Sequence, residues 1–190
     1  MKARSYTAAL NQVLEPAGFQ RDGKDWIRVR GDMWECVNLQ VSSIAGTTAN
    51  LMIKDLELEK LVRAIPTMGK PIPMIPITVR IGRLIDNYDH WWRGDPEGPT
   101  QLSDVVRVLG LPYFDLVRTP EEQAVNWFGR GSGTRWHASS RIYLALTLYR
   151  MGEIAEACEA LRNPPKTAIP EWRAHAEAVS RWLGCGDAAP

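Results

Sequence analysis

The residues of this 190-residue chain that are best suited to recognition are polar side chains alternating with apolar ones in short segments. Arginine, asparagine and glutamine make directed hydrogen bonds, and arginine also pairs with carboxylates in a bidentate manner. Successive residues of a strand point to opposite faces, so we expect these side chains to share one sheet face. The candidate binding residues are Arg28, Arg30, Asn38, Gln40, Asn50 and Arg80, followed along the chain by Trp91 and Trp92.

Two interpretations of this polar face are open. A face rich in Arg, Asn and Gln, with no acidic residue among its expected members, suits an anionic or carboxylate-bearing partner. The other interpretation is a solvated face, because antiparallel sheets commonly keep one side polar.

The Trp91-Trp92 pair also has two interpretations. Adjacent residues of an extended segment point in opposite directions, so at most one of the two rings is expected to be buried. The pair either closes the core of the sheet or supplies an aromatic anchor for a partner, with Arg93 beside it.

Catalytic and metal-binding patterns are weak throughout the chain. The segment from Asp86 to Glu97 has the length of a calcium loop, but Trp91 occupies the position that requires glycine. The histidines lack the spacing of a zinc protease. Carboxylate pairs such as Glu121-Glu122 lie on predicted helix surfaces. We therefore expect no metal, no cofactor and no catalytic residue, although an enzyme built from distant residues stays open.

Two glycine-rich patterns do not match the dinucleotide-binding and catalytic motifs that they partly resemble. The segment 129–134 lacks the G-x-G-x-x-G spacing of a dinucleotide site and follows a helix instead of a strand. Ser132 lies among glycines, but Arg130 occupies the first glycine position of a nucleophile elbow. We interpret 129–134 as a flexible linker.

Hydrophobic periodicity predicts an α+β fold with a four-stranded antiparallel sheet, one face of which is covered by helices. A helix is expected from Ser5 to Pro16, and the strands at 26–30, 33–41, 49–56 and 77–82. Prolines between residues 66 and 76 predict that the connection between the last two strands is a stiff extended loop without a helix or strand. The predicted core-facing residues are Ile27, Val29, Val37, Leu39, Val41, Leu51, Ile53, Ile77, Val79 and Ile81.

The remainder of the chain reads as helical. A helix from Ser103 ends at Gly110, Leu111-Pro112 breaks it, and Thr119-Pro120 with Glu122 predicts the start of another. Three helices follow, the first two resembling a tetratricopeptide hairpin. We expect an α+β domain over 1–128, the linker over 129–134 and a helical appendage over 135–190.

Composition narrows the class of protein. Lys and Arg total 23 against 22 Asp and Glu, and this balance disfavours nucleic-acid binding. No segment is long and apolar enough for a membrane span. The three cysteines lack a C-x-x-C spacing, so we expect reduced thiols and a cytoplasmic protein.

A series of short landmarks runs in order through the first two-thirds of the chain. The landmarks are Gly18-Phe19, Trp26, Val37 to Gln40, Arg80 to Gly82, Trp91-Trp92 and Leu111 to Phe114. Together they resemble a bacterial family known as domain of unknown function 4304. The resemblance spans residues 5–128 and implies an α+β fold without implying an activity. One departure is Val41-Ser42 after Gln40, where the family commonly has Lys-Ser.

These observations favour a non-catalytic cytoplasmic protein that binds another protein through its polar sheet face. An immunity or antitoxin-like inhibitor is a specific version, which rests on analogy with other small binding domains. The alternatives are a domain that binds a small molecule or anion, and an enzyme of unrecognised type.

Overall fold

The computed structural model describes residues 2–93, 96–128, 140–162 and 170–186, and its sheet has five strands instead of four. The strands are β1 (Gln20–Asp22), β2 (Asp25–Arg30), β3 (Met33–Ser42), β4 (Gly46–Asp55) and β5 (Ile77–Arg80). They lie in sequence order, and β1 and β3 both pair with β2 in antiparallel orientation. The additional strand is β1, whose three polar residues are all exposed and so carry no apolar alternation.

Helices make up most of the remaining described chain, and a π-helical segment spans Val106–Gly110. No described helix is long and apolar enough to cross a membrane. The helices are α1 (Lys2–Leu14), α2 (Leu56–Ala64), α3 (Arg83–Asp86), α4 (Gly98–Val105), α5 (Leu111–Asp115), α6 (Pro120–Phe128), α7 (Ser140–Arg150), α8 (Ile154–Arg162) and α9 (Pro170–Leu183).

Several of these helices begin and end where local signals place them. The predicted capping box opens α6: Glu122 N–H donates to Thr119 Oγ1 at 3.3 Å, and Thr119 N–H donates to Glu122 Oε2 at 2.9 Å. The three helices after residue 135 are confirmed, and Gly152, with φ of 84°, lies between α7 and α8.

Two expectations about the helices are wrong. Pro112 does not break the helix, because it occupies the first turn of α5 directly after the π-helical segment. The connection after β4 contains α2, whose start is capped by Asp55. The proline-rich part of that connection, 66–76, has no regular structure, as expected.

The chain forms two compact units that do not follow the predicted division. The first comprises residues 1–53 and 78–116, and the second comprises 54–77 and 117–190. The proposed linker, 129–134, lies outside the described residues.

In the first unit, α1 and α4 pack together, and α1 lies against one face of the sheet, where Trp26 Nε1 donates to Asn11 Oδ1. Trp26, Val37, Leu51 and Ile81 are buried on this face with Leu10 of α1. The predicted core-facing side is thus confirmed at Val37 of β3, Leu51 of β4 and Ile81 directly after β5. Val41, predicted to face the core from β3, is instead 54% exposed, and β2 is oriented differently.

In the second unit, the proline-rich loop is attached to α7. The hydroxyl of Tyr143 donates to the carbonyl of Pro73 and accepts from the N–H of Ile75. Burial raises the pKa of Tyr143 to about 12, so the hydroxyl stays neutral at physiological pH. The ring of Tyr143 stacks on Trp127 of α6, with 4.9 Å between the ring centroids.

Candidate functional site

The side chains of β2 that face the helices are not the ones predicted from the sequence. Trp26 lies opposite Val37, and Arg28 lies opposite Glu35. Cross-strand partners point to the same face, so Arg28 lies on the helix-covered face with the fully buried Trp26. Arg30, two residues further on, lies on that face too. The expectation that both arginines belong to the polar face is wrong.

The indole of Trp26 explains this orientation. The side chain is 0% exposed, and its Nε1 donates to Asn11 Oδ1 on α1 at 2.9 Å. Val29, on the opposite face, is 57% exposed. An alternation based on Ile27 and Val29 is out of phase with the core by one residue, and such a shift exchanges the two faces.

Arg28 and Arg30 instead form a buried ion cluster around Glu35, whose side chain is 1% exposed. Arg28 Nε donates to Glu35 Oε2 at 2.8 Å, and Arg30 Nε donates to Oε1 at 2.9 Å. The Arg28 guanidinium also lies 4.2 Å from the centre of the Phe19 ring, and Arg30 pairs with Asp115. These contacts assign both arginines a structural role.

The other candidate polar residues do meet, on the face of the sheet opposite Trp26. Asn50 Nδ2 donates to Asn38 Oδ1 at 3.3 Å and to Gln40 Oε1 at 3.1 Å. Asn38 donates to Asp25, and Arg80 Nη2 reaches Gln40 Oε1 at 3.4 Å. These five residues form one hydrogen-bonded series over strands β2 to β5, which we call the polar ladder.

An ion pair and an aromatic ring complete the β5 end of the polar ladder. Arg80 pairs with Asp89, and Arg83 Nε donates to the other oxygen of the same carboxylate at 2.7 Å. The guanidinium carbon of Arg80 lies 5.0 Å from the centre of the Trp91 ring, within the range of a cation–π contact. Trp91 is half-buried here.

Trp92 has a different role from its neighbour. Its N–H donates to the carbonyl of Thr47 at 2.8 Å, and its carbonyl accepts from Thr47 N–H at 3.0 Å and from the Tyr6 hydroxyl at 3.3 Å. Trp92 therefore ties the segment after β5 to β4 and α1, and it lies outside the polar ladder.

Asp89 is expected to become protonated at a lower pH than an ordinary aspartate, because its pKa is lowered. The hydrogen bond from Arg83, with the charges of Arg80 and Arg83, lowers the pKa of Asp89. A carboxylate with a lowered pKa stabilises the fold above the unfolded pKa, about 3.9, and this contribution is lost as pH falls through the folded pKa.

Carboxyl chemical shifts in an NMR titration measure this pKa directly. An Arg83→Gln variant should raise the pKa of Asp89 toward its ordinary value, whereas Arg107→Gln, remote in sequence and paired with Asp104, should leave it unchanged. Equal midpoints near pH 3.9 in the wild type and both variants would contradict the ion pair.

The acidic segment around Trp91 forms local pairs. His90 Nε2 lies 2.9 Å from both carboxylate oxygens of Asp86, and this hydrogen bond lowers the pKa of Asp86. Among the described residues, no group of three His, Cys, Asp or Glu side chains could hold a metal ion. Asp95 lies outside these residues.

A surface pocket of about 480 Å³ lies in the second unit, between the proline-rich loop and α9. His175 Nε2 lies 3.0 Å from the carbonyl oxygen of Lys70. A carbonyl only accepts, so this nitrogen carries the proton. Lys70, Glu171, Glu177 and Arg181 give the pocket both signs of charge, which favours no single class of ligand.

A family profile described as a domain of unknown function (DUF4304) matches residues 10–107, more than half of the chain. The chain belongs to the DUF4304 family. The DUF4304 match begins within α1 and ends in the π-helical segment, so it includes all five strands and the polar ladder. No curated protein and no solved structure matches the chain.

Two carboxylates of the candidate site in this DUF4304 protein were not predicted from the sequence. Asp25 lies across from Asn38, and Asp89 holds Arg80. Alternation counted from Trp26 would have placed Asp25 on the polar face. The pairing of Arg80 with Asp89 depends on the turn after β5, which carries no such signal.

Proposed function

We propose that this protein is a non-catalytic binding protein that recognises another protein through the polar ladder. The observation that carries the proposal is the continuous series of amide, carboxylate and guanidinium groups over strands β2 to β5. Such a face offers both donors and acceptors at fixed positions, as the hydrogen bonds of a protein interface require.

The polar ladder also has hydrogen-bonding capacity left for a partner. Within the described part of the chain, the amide nitrogen of Gln40 and Oδ1 of Asn50 make no hydrogen bond. Both residues are half-buried and lie in strands, so their side chains can be reached from the surface while the sheet holds their backbone in place. A partner that supplies a carbonyl to Gln40 and an N–H to Asn50 would satisfy both.

The charge of this face favours a polar, near-neutral partner surface. Asp25 and Asp89 contribute negative charge beside Arg80 and Arg83, and Arg80 is already paired. The predicted preference for an anionic partner was based on a face without acidic residues. Because the observed face includes Asp25 and Asp89, that preference is no longer expected. Complementarity of hydrogen bonds, more than net charge, then determines which partner binds.

The specific version of the proposal is an immunity or antitoxin-like inhibitor in the cytoplasm. It is supported by analogy with small binding domains. A second candidate is small-ligand binding in the pocket beside His175, favoured by the volume of that pocket.

Affinity capture of the tagged protein from its own host tests the proposal. The test variant carries Gln40→Ala and Arg80→Glu. The matched control is Arg107→Glu, which reverses an exposed arginine in the π-helical segment. Circular dichroism should first show that all proteins are folded.

We expect the wild type and the control to retain a stoichiometric partner, and the test variant to bind it at least about tenfold more weakly, as loss of a central contact does. Equal capture by all three proteins would place the interface elsewhere. Recovery of no partner by any of them would argue against a protein-binding role.

A further inference from the structure

We infer that Cys158 and Cys185 form a reversible thiol–disulfide pair that fastens the end of α9 to α8. The two residues are joined by a disulfide across 27 positions of sequence, which corrects the expectation of three reduced thiols. Both belong to the second compact unit. The inference goes beyond the proposed binding function and does not depend on it.

The end of α9 places Cys185 without help from the disulfide. Gly184 has φ of 71°, and its N–H donates to the carbonyl of Arg181 at 3.2 Å. The N–H of Cys185 donates to the carbonyl of Ser180 at 3.0 Å. Such bonds close a helix through a left-handed glycine. We therefore expect the reduced chain to hold the two thiols close together.

The body of α9 is anchored by its apolar face. Trp172, Ala176, Val179 and Leu183 are all buried, and α9 packs against both α7 and α8. These contacts do not involve the sulfur atoms, so reduction should leave the unit folded. Only the last turn of α9 and the residues after it lose their covalent attachment.

The difference in exposure between the two cysteines determines which sulfur a reagent attacks first. Cys158 is 8% exposed and Cys185 is half-buried, so a reagent reaches the Cys185 side of the bond first. Cys36, on β3, is 0% exposed and is not part of a disulfide. It serves as an internal thiol that should stay protected while the protein is folded.

The reaction is ordinary thiol–disulfide exchange with a dithiol reductant. One thiolate of the reductant attacks Sγ of Cys185, forms a mixed disulfide and releases Cys158 as the thiolate. The second thiolate of the reductant then displaces Cys185, so the reductant leaves as its cyclic disulfide. Two electrons pass to the protein, and both released thiolates take up protons. A low-molecular-weight disulfide drives the reverse reaction.

This chemistry is compatible with the proposed cytoplasmic location. Disulfides in that compartment are usually transient, and many of them sense the redox state. A pair that opens without unfolding its unit has the properties of such a sensor, because the change stays local to the end of α9.

Alkylation followed by intact-mass measurement tests whether the pair exchanges. Oxidised protein should take up no label while folded and one label, on Cys36, after denaturation. Treatment with dithiothreitol should open two more sites, for three in total after denaturation. Oxidised glutathione should then restore the original pattern.

Hydrogen exchange and thermal unfolding test whether opening is local. Reduction should speed amide exchange over 180–186 at least about tenfold more than exchange in α7, and lower Tm by about 5–10 °C. The variants Cys158→Ser and Cys185→Ser should behave as the reduced protein does. Cys36→Ser is the matched control and should keep the full response to dithiothreitol.

Three results would overturn the inference. They are a labelling pattern that dithiothreitol does not change, a failure of glutathione to re-form the bond, and loss of helical signal throughout the unit on reduction. The last would show an obligatory structural bond.

Discussion

Replacing Glu35 with alanine is expected to lower the free energy of unfolding by about 3–5 kcal/mol. The side chain is 1% exposed and accepts hydrogen bonds from Arg28 and Arg30. Alanine removes the negative charge and leaves the guanidinium of Arg28, whose side chain is only 13% exposed, without a carboxylate partner. Arg30 is 30% exposed and keeps its pairing with Asp115. An unpaired buried charge is strongly destabilising, and this loss should exceed that of any surface substitution.

Urea denaturation followed by circular dichroism measures this change. Glu57→Ala is the matched control, because Glu57 is 41% exposed and pairs with Lys60 on the surface of α2. The control should change the free energy of unfolding by no more than about 0.5 kcal/mol. A loss below about 1 kcal/mol for Glu35→Ala would contradict a buried cluster, since that is the scale of exposed pairs.

A triple variant distinguishes the contribution of charge pairing from that of side-chain packing. Replacing all three residues together, as Arg28→Met, Glu35→Leu and Arg30→Met, removes the charges and keeps apolar volume. Buried ion clusters are often replaced in this way at little or no loss of stability. We expect the triple variant to be more stable than Glu35→Ala, which would show that the single substitution acts through uncompensated charge.

The Glu35 cluster also shows why the predicted binding face was partly wrong. Alternation in β2 is compatible with either phase, because Ile27 and Val29 alternate with Trp26, Arg28 and Arg30. Sequence alone favours burying the aliphatic pair and exposing the arginines. The structure buries Trp26, and the arginines become acceptable on that side because Glu35 lies opposite Arg28.

Some local signals, in contrast, were read correctly, although Pro112 was not. The capping box of α6 depends on residues a few positions apart, and the structure places it as expected. The disulfide between Cys158 and Cys185 depends on how α8 packs on α9. Sequence spacing carries no information about such packing, so the pairing was not predictable.

The candidate site falls between these two cases. Asn38, Gln40, Asn50 and Arg80 were placed together correctly, because β3, β4 and β5 each have one clear apolar phase. Their charge balance was not predictable, since Asp89 reaches Arg80 from outside the strands. Predicted strands thus located the face, while the segments around it determined its electrostatics.

Replacing Asp55 with alanine is expected to destabilise the second unit by about 3–5 kcal/mol, because it too breaks a buried pair. Asp55 Oδ1 accepts from the N–H groups of Glu57 at 2.9 Å and Leu58 at 3.0 Å, which caps α2. Its other oxygen accepts from Gln123 Nε2 at 3.0 Å and pairs with Arg150.

An asparagine at this position divides the effect into its two parts. Asn caps a helix about as well as Asp does, so Asp55→Asn retains the cap, which is itself worth about 1 kcal/mol. It removes the charge facing Arg150, whose side chain is 23% exposed. We therefore expect Asp55→Asn to be less destabilising than Asp55→Ala, with most of the remaining loss due to the unpaired Arg150.

The double variants Asp55→Asn with Arg150→Leu and Asp55→Ala with Arg150→Leu test that assignment. Removing Arg150 as well should recover part of the stability in both, and equal losses in single and double variants would show that the ion pair contributes little. Because Asp55 links α2 to α6 and α7, hydrogen exchange should quicken in all three helices of Asp55→Ala. Faster exchange confined to the first turn of α2 would reduce its role to that of a cap.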